Sequence, residues 1–256
     1  MILVLVFCSL SVSAKTKQSD STPVAYAIWD LDEGRILADK NVDLVRSQAS
    51  ITKLMTVLVA LERGLDLDER IEVIGTETSR LIKRGMLLTR RELIDLALVA
   101  SDNLAANTLA ETSKVNRHEF IGIMNIRARM LGMTDTRYTD ATGLSPFNVS
   151  TVYDIKMLTE YLEQHQVFAE NANRTQVQVS PTNKNKSVTV TARNTNVFAS
   201  KLYITAAKTG FTSAAGRCLT MFFRGYNNRR YILVVLGAHD SVQRQKMVQR
   251  LIDTIR

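Results

Sequence analysis

The apolar pattern changes period twice along the chain, from two to helical and back to two, and this limits the folds open to it. Residues 24–39 alternate as a strand hairpin: Val24 to Trp29, a turn at Asp32-Glu33-Gly34, then Ile36-Leu37-Ala38. From Ser50 to Glu62 the spacing becomes helical, with Leu54, Val57, Leu58 and Leu61 on one face and Gly64 placed just after the C-cap. Thr89 and Glu92 have the spacing of a capping box that opens a helix through Val99. Further helices are predicted near 102–112, 117–131 and 151–165, with 132–150 as loop. After residue 175 alternation returns. Segments 175–179 and 187–191 flank a polar turn at 182–186, and strands follow near 203–208, 217–224 and 230–237. Ser241 is expected to cap a closing helix whose apolar side carries Val242, Met247, Val248, Leu251, Ile252 and Ile255. The expectation is a mixed α/β (α+β) fold. One antiparallel sheet, from about 24–45 and 175–256, is flanked by helices, with a helical block inserted over about 65–170 and a cleft at the boundary.

The chain of 256 residues is long enough to bury an ample single core, and its 45% hydrophobic and 23% charged residues argue against disorder. Residues 1–14 stand apart: an apolar run to Leu10, then Ser11-Val12-Ser13-Ala14, the small-residue pattern at which a signal peptide is cleaved. The run is too short to span a bilayer. No Lys or Arg precedes it, and a buried first strand is the alternative reading; the signal peptide is preferred, leaving 15–256 as a single exported domain. Cys218 would then stand alone in an apolar run, a small buried hydrophobe rather than a nucleophile. The net charge of +8 comes from scattered basic residues with no nucleic-acid motif, so no nucleic-acid partner is expected. His118, His165 and His239 are isolated, without metal-ligand spacing, and no metal or other cofactor is expected.

Three short motifs carry chemistry. In Ser50-Ile51-Thr52-Lys53 the i, i+3 spacing brings the lysine amine alongside the serine hydroxyl on one helix face. A lysine acts as base only when neutral, so its pKa has to fall through burial or a neighbouring cation. Ser101-Asp102-Asn103 lies between two predicted helices, where it can relay a proton and bind an amide; it is equally a good helix cap. Lys208-Thr209-Gly210 ends a strand-like run. There Lys208 and Thr209 can bind a carboxylate, and Gly210 leaves room for substrate along the strand edge. Each motif alone is weak; in this order the set is that of class A β-lactamases and penicillin-binding proteins.

On these residues the chain resembles the low-molecular-mass penicillin-binding proteins, the D-alanyl-D-alanine carboxypeptidases and endopeptidases of serine peptidase family S11. Longer blocks extend the likeness from about residue 24 to the end: Ala49 to Thr56, Ser101 to Ala106, Thr142 to Ser145 with Asn148 to Thr151, and Lys208 to Thr212 with Ala214 to Gly216. They look most like the penicillin-binding protein 7-like endopeptidases, a branch that only the resemblance suggests. It implies a β-lactamase/transpeptidase-like fold and an acyl-enzyme on Ser50. Lys53 would take the serine proton, Ser101 would pass a proton to the leaving amine, and Asn103 would hold the acyl-side amide. Lys208 and Thr209 would orient the substrate carboxylate, with Arg244 as a weaker addition. The N–H groups of Ser50 and Phe211 would form the oxyanion hole. The implied partners are peptidoglycan stem peptides, with β-lactam antibiotics as covalent inhibitors. The implied location is the periplasm, without a stable membrane anchor.

Two rivals share parts of this pattern. A class A β-lactamase needs a glutamate to activate the deacylating water. Glu170 is followed by Asn171-Ala172-Asn173, not by the Glu-x-x-Leu-Asn pattern, so penicillin is expected to stay attached. A non-catalytic β-lactam or cell-wall sensor normally needs a transmembrane transducer, and the sequence carries no second hydrophobic span.

Overall fold

The computed structural model describes residues 23–184, 186–225 and 228–255, so the segment read as a signal peptide lies outside the described residues. The strands are β1 (Ala25–Asp30), β2 (Arg35–Lys40), β3 (Arg46–Ser47), β4 (Arg70–Glu72), β5 (Leu87–Thr89), β6 (Val149–Ser150), β7 (Gln176–Val179), β8 (Thr182–Asn183), β9 (Lys186–Ser187), β10 (Val190–Arg193), β11 (Tyr203–Thr212), β12 (Gly216–Arg224) and β13 (Arg230–Ala238). The helices are α1 (Thr52–Glu62), α2 (Arg90–Val99), α3 (Asn103–Glu111), α4 (Arg117–Met130), α5 (Val152–Tyr161), α6 (Gln166–Asn173) and α7 (Ser241–Asp253).

N- and C-terminal strands join one antiparallel sheet in the order β11-β12-β13-β1-β2, with Ala25 of β1 opposite Leu236 of β13. Strand alternation sorts the side chains into two cores. Ile28, Leu233 and Val235 pack on one face with Val248, Leu251 and Ile252 of α7. Ala27, Ile232 and Val234 point the other way, toward the helical block. Thr89 and Glu92 form the expected capping box: the Glu92 N–H donates to the Thr89 hydroxyl at 3.1 Å, and the Thr89 N–H to the Glu92 carboxylate at 2.7 Å. Such a cap stabilises the helix by about 1 kcal/mol.

Four expectations change. The 176–193 hairpin is not part of the main sheet: β7 pairs with β10 alone, while β8 and β9 extend the small β4-β5 sheet. It is held to the helical block, where Ser180 N–H meets the Glu92 carboxylate at 2.6 Å. The C-terminal part of the main sheet therefore begins at Tyr203 rather than near 175. Helix α6 was not foreseen, because it is short and has no side-chain cap. The closing helix is capped by Asp240, whose carboxylate accepts the Gln243 N–H at 2.8 Å; Ser241 is its first residue. Finally, α1 is buried on every side from Thr52 to Ala60 rather than on one apolar face. That last difference places Lys53 out of contact with water.

Candidate active site

Ser50 sits in a 3-10 turn, Ala49–Ile51, that runs directly into α1. Ala49 holds φ +49°, a left-handed conformation that costs a residue with a side chain about 1–3 kcal/mol. The turn is gripped from both sides. A Cβ at Gly143 (φ +83°) would lie 2.0 Å from the Ala49 carbonyl oxygen, and one at Gly210 would lie 3.1 Å from Ser50 N and Gln48 O. Gly210 thus makes room for the nucleophile's own backbone, in addition to lining the cleft beside it. Gly143→Ala is expected to destabilise the fold by about 3 kcal/mol, combining a forbidden conformation with a backbone clash. A thermal melt shifted by less than a degree would contradict this.

Lys53 is fully buried, and its amine touches three groups: Ser50 Oγ at 2.9 Å, Asn103 Oδ1 at 2.7 Å and the Thr142 carbonyl at 2.7 Å. Burial pushes its pKa down to about 7, against the opposing pull of Asp102, Asp140 and Glu77. A neutral amine has two hydrogens and one lone pair. Asn103 Oδ1 and Thr142 O can only accept, so they take both hydrogens and leave the lone pair aimed at the Ser50 hydroxyl. The geometry can deprotonate a serine near neutral pH.

Thr142 is held in place by residues to which the sequence reading assigned no role. One oxygen of buried Asp140 accepts the N–H groups of Thr142 and Gly143, each at 2.6 Å, and the other accepts Ser145 N–H at 2.6 Å. Buried Asn148 accepts from Thr139 N–H at 2.7 Å and donates to the Thr52 hydroxyl at 3.0 Å, tying the loop to α1. Both lie in or beside the Thr142-to-Thr151 blocks of the resemblance, the one signal that pointed here.

The second and third motifs close around the serine. Ser101 has φ +60°, and Asp102 caps α3 by accepting the Ala105 N–H at 2.9 Å. The cap reading and the site reading of this turn therefore hold together, on different residues. A cleft of about 460 Å³ is lined by Ser50, Ser101, Asn103, Thr209, Gly210 and Phe211, together with Arg244 and Arg217. Thr209 Oγ1 lies 2.6 Å from the Thr195 hydroxyl. Lys208 does not line the cleft. It is a buried residue of β11 and donates to the Thr209 carbonyl at 3.0 Å, its pKa driven well below the ordinary lysine value by burial and then by Lys53 and Arg244. Arg244 is nearly buried, donating to the Cys218 carbonyl at 3.5 Å. Arg217, absent from the sequence reading, lies opposite Phe211 on β12 with its guanidinium 3.8 Å above that ring.

Among the described residues that line the cleft there is no Asp or Glu. Glu170 is exposed on α6, accepts a hydrogen bond from Gln166 at 2.7 Å and is not among the residues that line the cleft. Among the described residues no group of three or more His, Cys, Asp or Glu side chains is placed to hold a metal ion. Cys218 is buried in β12 as expected.

The antiparallel sheet with its helical block, and the serine–lysine pair at their junction, define a class: the penicillin-binding DD-peptidases of the β-lactamase/transpeptidase fold. The sequence matches the peptidase S11 family, D-alanyl-D-alanine carboxypeptidase, over residues 12–240, and the chain belongs to that family of serine peptidases. It is 36% identical to a D-alanyl-D-alanine endopeptidase of Pseudomonas aeruginosa, over 92% of this chain and 81% of the relative. A D-alanyl-D-alanine endopeptidase of Escherichia coli is also 36% identical, over 82% and 70%. Among solved structures, penicillin-binding protein D2 of Listeria monocytogenes in its ampicillin-bound form superposes with a TM-score of 0.78 at 28% identity, covering 90% of this chain and 96% of that one.

Proposed function

We propose that this chain hydrolyses D-alanyl peptide bonds in peptidoglycan stem peptides, cross-links between stems included, through an acyl-enzyme on Ser50. The observation that carries the reading is the buried Lys53 amine, 2.9 Å from Ser50 Oγ with a pKa of about 7. Lys53 takes the hydroxyl proton as Ser50 Oγ attacks the D-alanyl carbonyl, whose developing oxyanion meets the N–H groups of Ser50 and Phe211. Ser101 relays the proton held by Lys53 to the departing amine, which completes cleavage of the C–N bond and leaves Lys53 neutral. Asn103, its Oδ1 engaged by Lys53, has its amide NH₂ left for the acyl-side carbonyl. Thr209, Arg244 and Arg217 receive the carboxylate beside the scissile amine, while buried Lys208 braces Thr209 by donating to its carbonyl at 3.0 Å. Water, deprotonated by the neutral Lys53, then attacks the acyl carbon; the ester bond to Ser50 breaks, and Lys53 returns the proton to Ser50 Oγ.

β-Lactams enter the same path, because their strained amide presents the same carbonyl and carboxylate. Among the described residues no carboxylate lines the cleft, which supports slow release of the opened drug. Relatives named D-alanyl-D-alanine endopeptidase support an extracytoplasmic site of action, where such bonds are found. Among the described residues no helix is long and apolar enough to cross a membrane. The periplasm is the compartment this reading assigns. The test is the intact mass of the protein over hours with benzylpenicillin, alongside digestion of a cross-linked muropeptide dimer with and without EDTA. A lasting one-to-one adduct and EDTA-insensitive cleavage are expected. No adduct would overturn the proposal, and a transient adduct would move the chain to the β-lactamases.

A further inference from the structure

Ser101 stands between two concavities. On one side is the cleft that holds Ser50. On the other is a groove of about 340 Å³ that shares Ser101 and Asn103 with the cleft and runs on between residues 78–81 and 191–193. Arg80 lines one wall and Arg193, the last residue of β10, lines the other; both are exposed. Among the described residues that line this groove the sole acid is Asp102, and its oxygens are already taken by the Ala105 N–H and the Ser79 hydroxyl. Two guanidinium groups thus share a groove that offers them no uncommitted carboxylate.

Both arginines stand on backbone fixed to the catalytic elements. The Ser79 hydroxyl, besides bonding Asp102, accepts the N–H groups of Leu81 and Ile82 at 3.0 and 3.1 Å, which pins the turn bearing Arg80 to the Ser101-Asp102-Asn103 segment. Two residues beyond Arg193, Thr195 donates its N–H to the Val99 carbonyl at 3.0 Å and meets the Thr209 hydroxyl at 2.6 Å.

We infer that this groove receives the leaving-group half of a cross-linked substrate, and that Arg80 and Arg193 bind carboxylates on that acidic peptide. The inference rests on the function proposed above, in which the scissile amine departs beside Ser101. A terminal D-alanine is a single residue whose one carboxylate is satisfied inside the cleft, at Thr209 and Arg244. The amine of a cross-link belongs to diaminopimelate, a dicarboxylic acid, in a stem that continues beyond it with further acidic groups. Ser101, the residue assigned to protonate that amine, lines both the cleft and the groove, so the groove opens beside the departing stem. Guanidinium is the group best suited to planar, bidentate recognition of carboxylate. The pair therefore sets a preference for cross-links over single terminal residues while taking no part in bond making.

The experiment compares wild type with the double variant Arg80→Gln/Arg193→Gln on three measurements. These are kcat/KM for a cross-linked muropeptide dimer, the rate of acylation by benzylpenicillin, and calorimetric affinity for the free acidic stem tripeptide that forms the leaving half. Two solvent-facing ion pairs support an expected loss of about tenfold in dimer kcat/KM, mostly through KM, and about tenfold in tripeptide affinity. Penicillin acylation should stay within twofold. Unchanged tripeptide affinity overturns the inference whatever the peptidase assay shows, and so does a parallel fall in penicillin acylation. A wild type that binds the tripeptide through these arginines yet cleaves no D-alanyl bond would sink the proposed reaction alone and leave the acidic-peptide site standing.

Discussion

Ser50→Ala is expected to abolish the benzylpenicillin adduct and to lower cross-link cleavage by about 10⁶-fold, the scale on which loss of a serine nucleophile acts in other hydrolases. The substitution removes one oxygen from a partly buried side chain and leaves Ala49, Gly143 and Gly210 in their contacts, so the melting temperature should hold within a few degrees. The surviving lysine then faces Asn103 and Thr142 with no hydroxyl to deprotonate. A covalent adduct on the variant would place the nucleophile elsewhere and dismantle the site.

Lys53→Ala is the second large effect: acylation by benzylpenicillin should fall by about 10²–10⁴-fold, the usual contribution of a positioned base. Lys53→Arg should not rescue it, because a guanidinium keeps its proton across the accessible pH range. The pH profile of the wild type separates a base from a merely structural lysine. With a pKa of about 7, lowered chiefly by burial, Lys53 is protonated and inactive below that value and neutral above it. The acylation rate should therefore climb close to tenfold per pH unit below 7 and level off above. The same shift has a sign for stability. The unfolded chain holds this proton up to the ordinary lysine pKa, so between the two values it binds more protons than the folded form, and the contribution to stability rises with pH. A flat acylation profile from pH 5 to 9 would rule out Lys53 as the base.

What the sequence disclosed was whatever is encoded within a few neighbours. Ser50 and Lys53 are three apart, Ser101 and Asn103 two apart, and Lys208, Thr209 and Gly210 contiguous, so each motif could be read locally. Arg217 and Thr195 escaped because they reach the site only through strand pairing and a hydroxyl contact with Thr209. Asp140 and Asn148 act on backbone groups of a loop, and no periodicity marks such a role. The burial of α1 is hidden from local reading for a related reason. Thr52, Lys53 and Thr56 look solvent-facing by type, yet each finds an internal partner: Asn148 for Thr52, the Ala141 carbonyl for Thr56, and Asn103 with Thr142 for Lys53. Polar side chains go inside when their hydrogen bonds are met there. The 176–193 hairpin read correctly as a pair of strands, but alternation says nothing about which sheet a hairpin will join.

The three contacts that aim the Lys53 amine come from residues 3, 50 and 89 positions away along the chain. Forming the last two requires closing long loops, and such non-local pairings come late and slowly in folding. A chain still being threaded or only partly collapsed therefore contains both serine and lysine but no base: without its acceptors and its burial, the lysine holds its proton. Hydrolytic competence is thus withheld from every unfinished form of the molecule. Labelling by penicillin becomes a count of completed chains, which gives a direct assay of maturation as well as of chemistry.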